Sequence, residues 1–146
     1  AAVYKHAVLP LIFLKYVSDA FDLRREELEA AFRDPKSDYH LDRADYPTEA
    51  AYARAIRDEL EDRDYFTEKN VFWVPPLARW KTIRENAALA PDTEIALPGS
   101  VSVPAGSAST RYTFRSAARL IDDALEAVEK ENPRLKGVIE KNRYMQ

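Results

Sequence analysis

The apolar residues Leu9, Ile12, Phe13, Tyr16, Ala20, Leu23, Leu28 and Ala31 recur at three- and four-residue spacing between Tyr4 and Phe32. That period predicts a helix with these positions turned inward. The first half is apolar nearly all round, because Leu11, Leu14, Val17 and Phe21 fill the other side. The second half, DLRREELEAAFRD, carries a charged face. The predicted helix therefore leaves the core toward solvent along its length. Pro10 lacks a backbone donor and disfavours the helical state of Leu9, so a kink or restart is expected there, with Asp34-Pro35 as the stop.

Residues 34–47 are polar and read as a loop. Thr48 then offers an N-cap to a helix whose Tyr52, Ile56 and Leu60 share one face. In DYFTEKNVFWVPP, two prolines follow Val71, Phe72, Trp73 and Val74, which favours an extended segment docked on the helices over a central strand. Pro76 suits the first position of a further helix with Leu77, Trp80, Ile83 and Ala87 inside. Residues 95–110 hold no charge and are rich in Ala, Ser, Gly and Pro. They predict a loop, or at most a short hairpin through Ile95–Leu97 and Val101–Val103. Ser116 caps a last helix with Leu120, Ile121, Ala124, Leu125 and Val128 as its buried stripe, Asp122, Glu126 and Glu129 outward, and Asn132-Pro133 at its end. The expected fold is mainly α, a small helical domain of about four helices with an irregular loop or short hairpin insertion.

A length of 146 residues suits one domain over 1–146, large enough to fold on a single core. The absence of cysteine removes disulfides, thiolate metal sites and thiol nucleophiles, and points to a reducing compartment. Three scattered glycines, Gly99, Gly106 and Gly137, do not make a phosphate-cradling loop. The longest apolar run, Val8–Val17, is broken by Lys15 and is about half of what a membrane helix needs. No signal peptide is visible. A net charge of −3 argues against coating nucleic acid by charge alone, but the distribution is uneven: 34–64 is acidic and 111–146 mildly basic.

Candidate chemistry is sparse. His6 and His40 have no partner at helical spacing, and Glu26-Glu27-Glu29 and Asp122-Asp123-Glu126 read as solvated helix faces. No serine or lysine sits in a nucleophile setting. Asn132-Pro133-Arg134 shares Asn-Pro with the Asn-Pro-Pro-aromatic site of amino-methyltransferases but lacks the second proline and the aromatic, and reads as a helix stop. Arg111, Arg115 and Arg119 recur every four residues, with Arg134, Lys136, Lys141 and Arg143 following. Such a row can grip phosphates or pair with neighbouring acids. Tyr65, Phe72, Trp73 and Trp80 could stack on bases, yet their spacing favours core packing.

The stretch YKHAVLPLIFLKYVSDAFDLRREELE resembles the first helix of the N-terminal domain in modification (M) subunits of type I restriction-modification systems. YFTEKNVFWVPPLARW, LIDDALEAVEKENPRLKGVI and a basic tail ending at Gln146 are similar to that family in the same order. Pro10 departs from the pattern, 34–64 is only loosely similar, 88–115 reads as a variable loop insertion, and the helix that usually precedes Tyr-Lys-His is expected to be absent or cut away. The resemblance implies a helical N-terminal domain ahead of a Rossmann-like domain in a longer, cytoplasmic protein. That longer protein would be a site-specific DNA adenine methyltransferase using S-adenosylmethionine. Its partners would be DNA, a specificity subunit, a second M subunit and a restriction subunit, with no membrane.

The glycine-rich cofactor loop and the Asn-Pro-Pro-aromatic pocket are absent from these 146 residues, so no catalytic, cofactor-binding or metal residue carries over. The role expected of this domain is DNA clamping and subunit assembly, with Arg111, Arg115, Arg119, Lys141 and Arg143 as candidate DNA contacts. The rival expectation is a free-standing helical protein–protein interaction or adaptor module without DNA contact.

Overall fold

A computed structural model of the chain describes residues 2–97 and 111–137. Within them the fold is mainly helical: α1 (Ala2–Arg33), α2 (Glu49–Leu60), α3 (Asp64–Thr67), α4 (Trp80–Asn86) and α5 (Ala117–Glu131). The two strands β1 (Thr93–Ala96) and β2 (Arg111–Phe114) pair antiparallel, with Thr93 opposite Phe114 and Ile95 opposite Tyr112. Short 3-10 turns sit at Arg43–Asp45, Pro76–Ala78 and Pro133–Leu135.

The central helix runs without a break from Ala2 to Arg33, so the restart expected at Pro10 does not occur. Proline removes one donor, and a helix of this length carries on around the single missing bond. The inward face also differs from the expected one. Leu14, Val17, Phe21, Leu28 and Phe32 are buried, while Leu9, Ile12, Tyr16 and Leu23 are 65%, 58%, 70% and 59% exposed. The first half is apolar on both sides, so periodicity alone marked a helix without deciding which stripe meets the core.

Helix α1 packs against α2, α3, α4 and α5. Its buried stripe meets Tyr52, Ile56 and Leu60 of α2, Phe66 of α3, Trp73 and Val74 of the extended segment, and Ala124, Leu125 and Val128 of α5. The centre is aromatic. Phe21 and Phe66 stack at 4.8 Å, and Trp73 sets its ring edge-on to both, at 5.2 and 5.0 Å. Such pairs contribute about 0.5–1.5 kcal/mol each beyond the area they bury.

Local signals place the flanking elements. Thr48 accepts a hydrogen bond from the Ala51 amide at 3.0 Å, and Ser116 from the Arg119 amide at 3.1 Å, so both expected caps are formed. The segment 71–74 is extended and docked, as its prolines require. Its backbone is held by Asn132, whose side chain accepts from the Trp73 amide (2.9 Å) and donates to the Trp73 and Val128 carbonyls (2.8 and 2.7 Å). Asn132 thus closes α5 and anchors the tryptophan with one side chain. The helix after Pro76 begins later than expected, at Trp80, whose amide donates to the buried Ser18 hydroxyl at 2.8 Å.

Two more expectations need correcting. The strand partner of β1 is Arg111–Phe114, and the expected partner Val101–Val103 lies outside the described residues. Phe114, Ile95 and Leu120 make a small second core under this pair, and their burial selects that register. Asp122 is buried rather than outward, at the edge of a stripe wider than the apolar residues alone mark. No described helix is long and apolar enough to cross a membrane.

Candidate nucleic-acid and partner interface

The arginine row is not one helical stripe. Arg111 lies on β2, Arg115 just beyond it and Arg119 in the first turn of α5. On a strand, alternate residues share a face, so Arg111 stands opposite in sense to Tyr112 and the buried Phe114. All three arginines are exposed. Arg115 pairs with Asp92, which sits just before β1 in a left-handed backbone conformation (φ 71°). Arg119 directs its Nε at both oxygens of Asp123, at 3.1 and 3.3 Å. The Tyr112 hydroxyl donates to the same carboxylate at 2.5 Å. Burial and then this hydrogen bond push the Tyr112 phenol well above its ordinary range. The Asp123 hydrogen bond raises Arg119.

Two of the row's guanidinium groups are therefore engaged by carboxylates of the chain itself. Exposed pairs of this kind contribute about 0–1 kcal/mol, little enough that a phosphate can replace the carboxylate. Arg111 has no carboxylate within ion-pair range among the described residues. Lys141 and Arg143 lie outside the described residues. Of the aromatic candidates, Trp73 is buried, and Tyr65, Phe72 and Trp80 pack against the core with part of each side chain exposed.

A second surface, missed in the sequence because its residues were assigned to the core, is the outer face of α1. Leu9, Ile12, Tyr16 and Leu23 fall at intervals of three, four and seven, the spacing of a seam that another helix can fill. Beside it, Val8, Leu11, Ile12, Lys15, Tyr16 and Trp80 line an open groove of about 400 Å³. Lys15 bridges to Asp19 at 2.9 Å and stands 5.6 Å from the Trp80 ring centroid, so its charge rims the apolar strip. Exposed apolar residues in one contiguous face mark an association surface, whereas isolated ones do not.

A third feature escaped the sequence because its members lie far apart in the chain. The guanidinium carbons of Arg79 and Arg25 stand 5.0 and 5.8 Å from the centroid of the buried Phe21 ring. Burial, and then the nearby charge of Arg25, pull Arg79 down to about 10. Asn132, the residue shared with the Asn-Pro-Pro-aromatic pattern, has its amide committed to Trp73 and Val128, which makes it a structural anchor.

Comparison with known proteins accords with this architecture. The family model described as the HsdM N-terminal domain matches residues 1–146. The chain is 30% identical over 139 residues to the type I restriction enzyme MjaIX methylase subunit of Methanocaldococcus jannaschii, a match covering 94% of this chain and 19% of that protein. It is 34% identical over 68 residues to the type I restriction enzyme HindI methylase subunit of Haemophilus influenzae, covering 47% of this chain and 12% of that one. The chain thus spans less than a fifth of the length of either relative. A helical architecture, a model match over every residue and two methylase-subunit relatives together place the chain in the HsdM N-terminal domain family.

Proposed function

We propose that this domain serves a type I methylase subunit as an assembly and DNA-clamping element, and that methyl transfer takes place elsewhere in the longer protein. The observation that carries the assembly role is the outer face of α1, where four large apolar side chains are more than half exposed along one helix. A domain that already owns a complete aromatic core does not need them for its own folding. Their burial against a second methylase subunit or a specificity subunit is worth about 25 cal/mol for each Å² removed from water, before association costs.

The DNA role rests on Arg111, Arg115 and Arg119 at the hairpin and the start of α5, with Lys141 and Arg143 as further candidates. Phosphate contacts of this kind position a protein on the duplex without reading its sequence. The catalytic role belongs outside the chain: nothing here forms a glycine-rich cofactor loop or an Asn-Pro-Pro-aromatic pocket for a flipped adenine. S-adenosylmethionine is accordingly assigned to the longer protein, as are the restriction subunit as a further partner and a cytoplasmic location. The adaptor reading, with protein contact but no DNA contact, draws on the net charge of −3 and on the carboxylates that already occupy Arg115 and Arg119.

The test is co-purification of a methylase subunit carrying this domain with its specificity subunit, comparing the wild type with the Leu9→Glu/Ile12→Glu variant. Assembly is expected to be lost while the isolated domain keeps its helical circular dichroism. A full complement of assembled subunits would refute the assembly role. Salt-dependent binding of a short duplex by the domain separates the clamp from the adaptor.

A further inference from the structure

Two half-buried guanidinium groups share one aromatic ring. Arg25 and Arg79 both lie over Phe21, so they are no more than about 11 Å apart. Neither has a carboxylate within ion-pair range among the described residues. Asp22 and Glu61 are near enough for Arg79 to feel their charge, and Asp22 also feels Arg25, but they do not close on either guanidinium. Arg79 spends its Nε on the Val74 carbonyl at 3.2 Å, which fixes the group in place and leaves its terminal nitrogens as donors. Arg25 makes no hydrogen bond among the described residues.

Holding two like charges near each other and partly out of water is unfavourable unless anions offset them. Asp22 and Glu61, which close on neither guanidinium, offset Arg79 less than burial and Arg25 disfavour it. Arg115 and Arg119 show the other solution, each closed by its own carboxylate. The ring below supplies a flat support that orients both groups. One arginine fork is enough for a carboxylate, whereas two forks on one ring can share the several oxygens of a phosphate.

We infer that Arg25 and Arg79, mounted on Phe21, form a phosphate-binding site that takes a backbone phosphate of DNA. This rests on the DNA-clamping reading and moves its strongest contact from the hairpin row to the junction of α1 with the turn before α4. Asp22, beside the site, opposes the incoming charge, so its removal strengthens binding.

The test is anisotropy of a labelled short duplex with the 146-residue chain across a salt series. Arg25→Gln is the primary variant, since among the described residues its guanidinium makes no hydrogen bond or ion pair beyond its place over Phe21. Arg79→Lys keeps the charge and loses the fork. Asp22→Asn removes the opposing carboxylate, and Arg54→Gln, at an exposed position of α2 in the acidic stretch, is the control. Arg25→Gln is expected to weaken binding roughly tenfold and to lower the slope of log affinity against log salt by about one. Arg79→Lys is expected to weaken it less, Asp22→Asn to tighten it, and Arg54→Gln to change it little.

In the same chain the Nε–Hε nuclear magnetic resonance signals of Arg25 and Arg79 are expected to shift on addition of inorganic phosphate. A wild type that binds the duplex with Arg25→Gln unchanged overturns this site and leaves the clamp standing. A wild type that binds no duplex at low salt overturns both. Arginine signals that respond to a polyglutamate peptide and not to phosphate overturn the DNA assignment in favour of a partner's carboxylate.

Discussion

The two faces of α1 carry the same chemistry and meet opposite fates. Leu14, Val17, Phe21, Leu28 and Phe32 are closed off by the other helices, while Leu9, Ile12, Tyr16 and Leu23 remain open to solvent. Hydrophobicity does not distinguish the two sets. The difference lies in what stands opposite: aromatic rings at 4.8–5.2 Å for Phe21, and for Ile12 and Tyr16 an open groove shared with Trp80. One face completes the core, and the other stays exposed among the described residues, which is why the proposed assembly role is placed there.

Substitutions on each face and on its supports separate these roles. Phe21→Ala, at the meeting point of Phe66 and Trp73, is expected to cost about 3–5 kcal/mol of unfolding free energy in urea titrations. If the inner face were no more important than the outer, that loss would shrink to a few tenths. Asn132→Ala removes the clamp on Trp73, the ring that backs Phe21, and strands the Trp73 amide and carbonyl. It is expected to cost about 1–3 kcal/mol by the same measurement.

Asp22, on the rim between the faces, has its carboxyl raised above the ordinary range, first by burial, with Arg79 and Arg25 pulling the other way. A raised carboxyl favours the folded state when protonated, and that contribution is lost as pH rises through the folded value. Asp22→Asn is therefore expected to stabilise the domain slightly at neutral pH. Its advantage over the wild type disappears below the usual carboxylate range, which thermal melts across pH can follow.

The sequence made the elements legible where a single residue type forces a geometry. Thr48 and Ser116 cap their helices, Asn132-Pro133 ends α5, and Pro75 with Pro76 keeps 71–74 extended. It left open what depends on the opposing surface. The inner face of α1 is chosen by Phe66 and Trp73, more than forty residues from the Phe21 they meet. The partner of β1 is chosen by Phe114 and Leu120 beneath it, which the repeated Val-Ser pattern at 101–103 does not reveal. Of the candidate contacts, the four-residue spacing of Arg111, Arg115 and Arg119 suggested one row, yet strand and helix periods differ, and two of the three meet carboxylates. Arg25 and Arg79 are brought together only by the fold, so no spacing marks them.

The smallest expected effect is the most direct test. Ile12→Gln/Tyr16→Gln keeps helix propensity nearly constant and removes two large apolar groups from the outer face. In urea unfolding of the isolated chain, the midpoint and the unfolding free energy are expected to stay within about 0.5 kcal/mol of wild type. A loss of about 2 kcal/mol or more would place these residues in the domain's own core and contradict a face reserved for a partner.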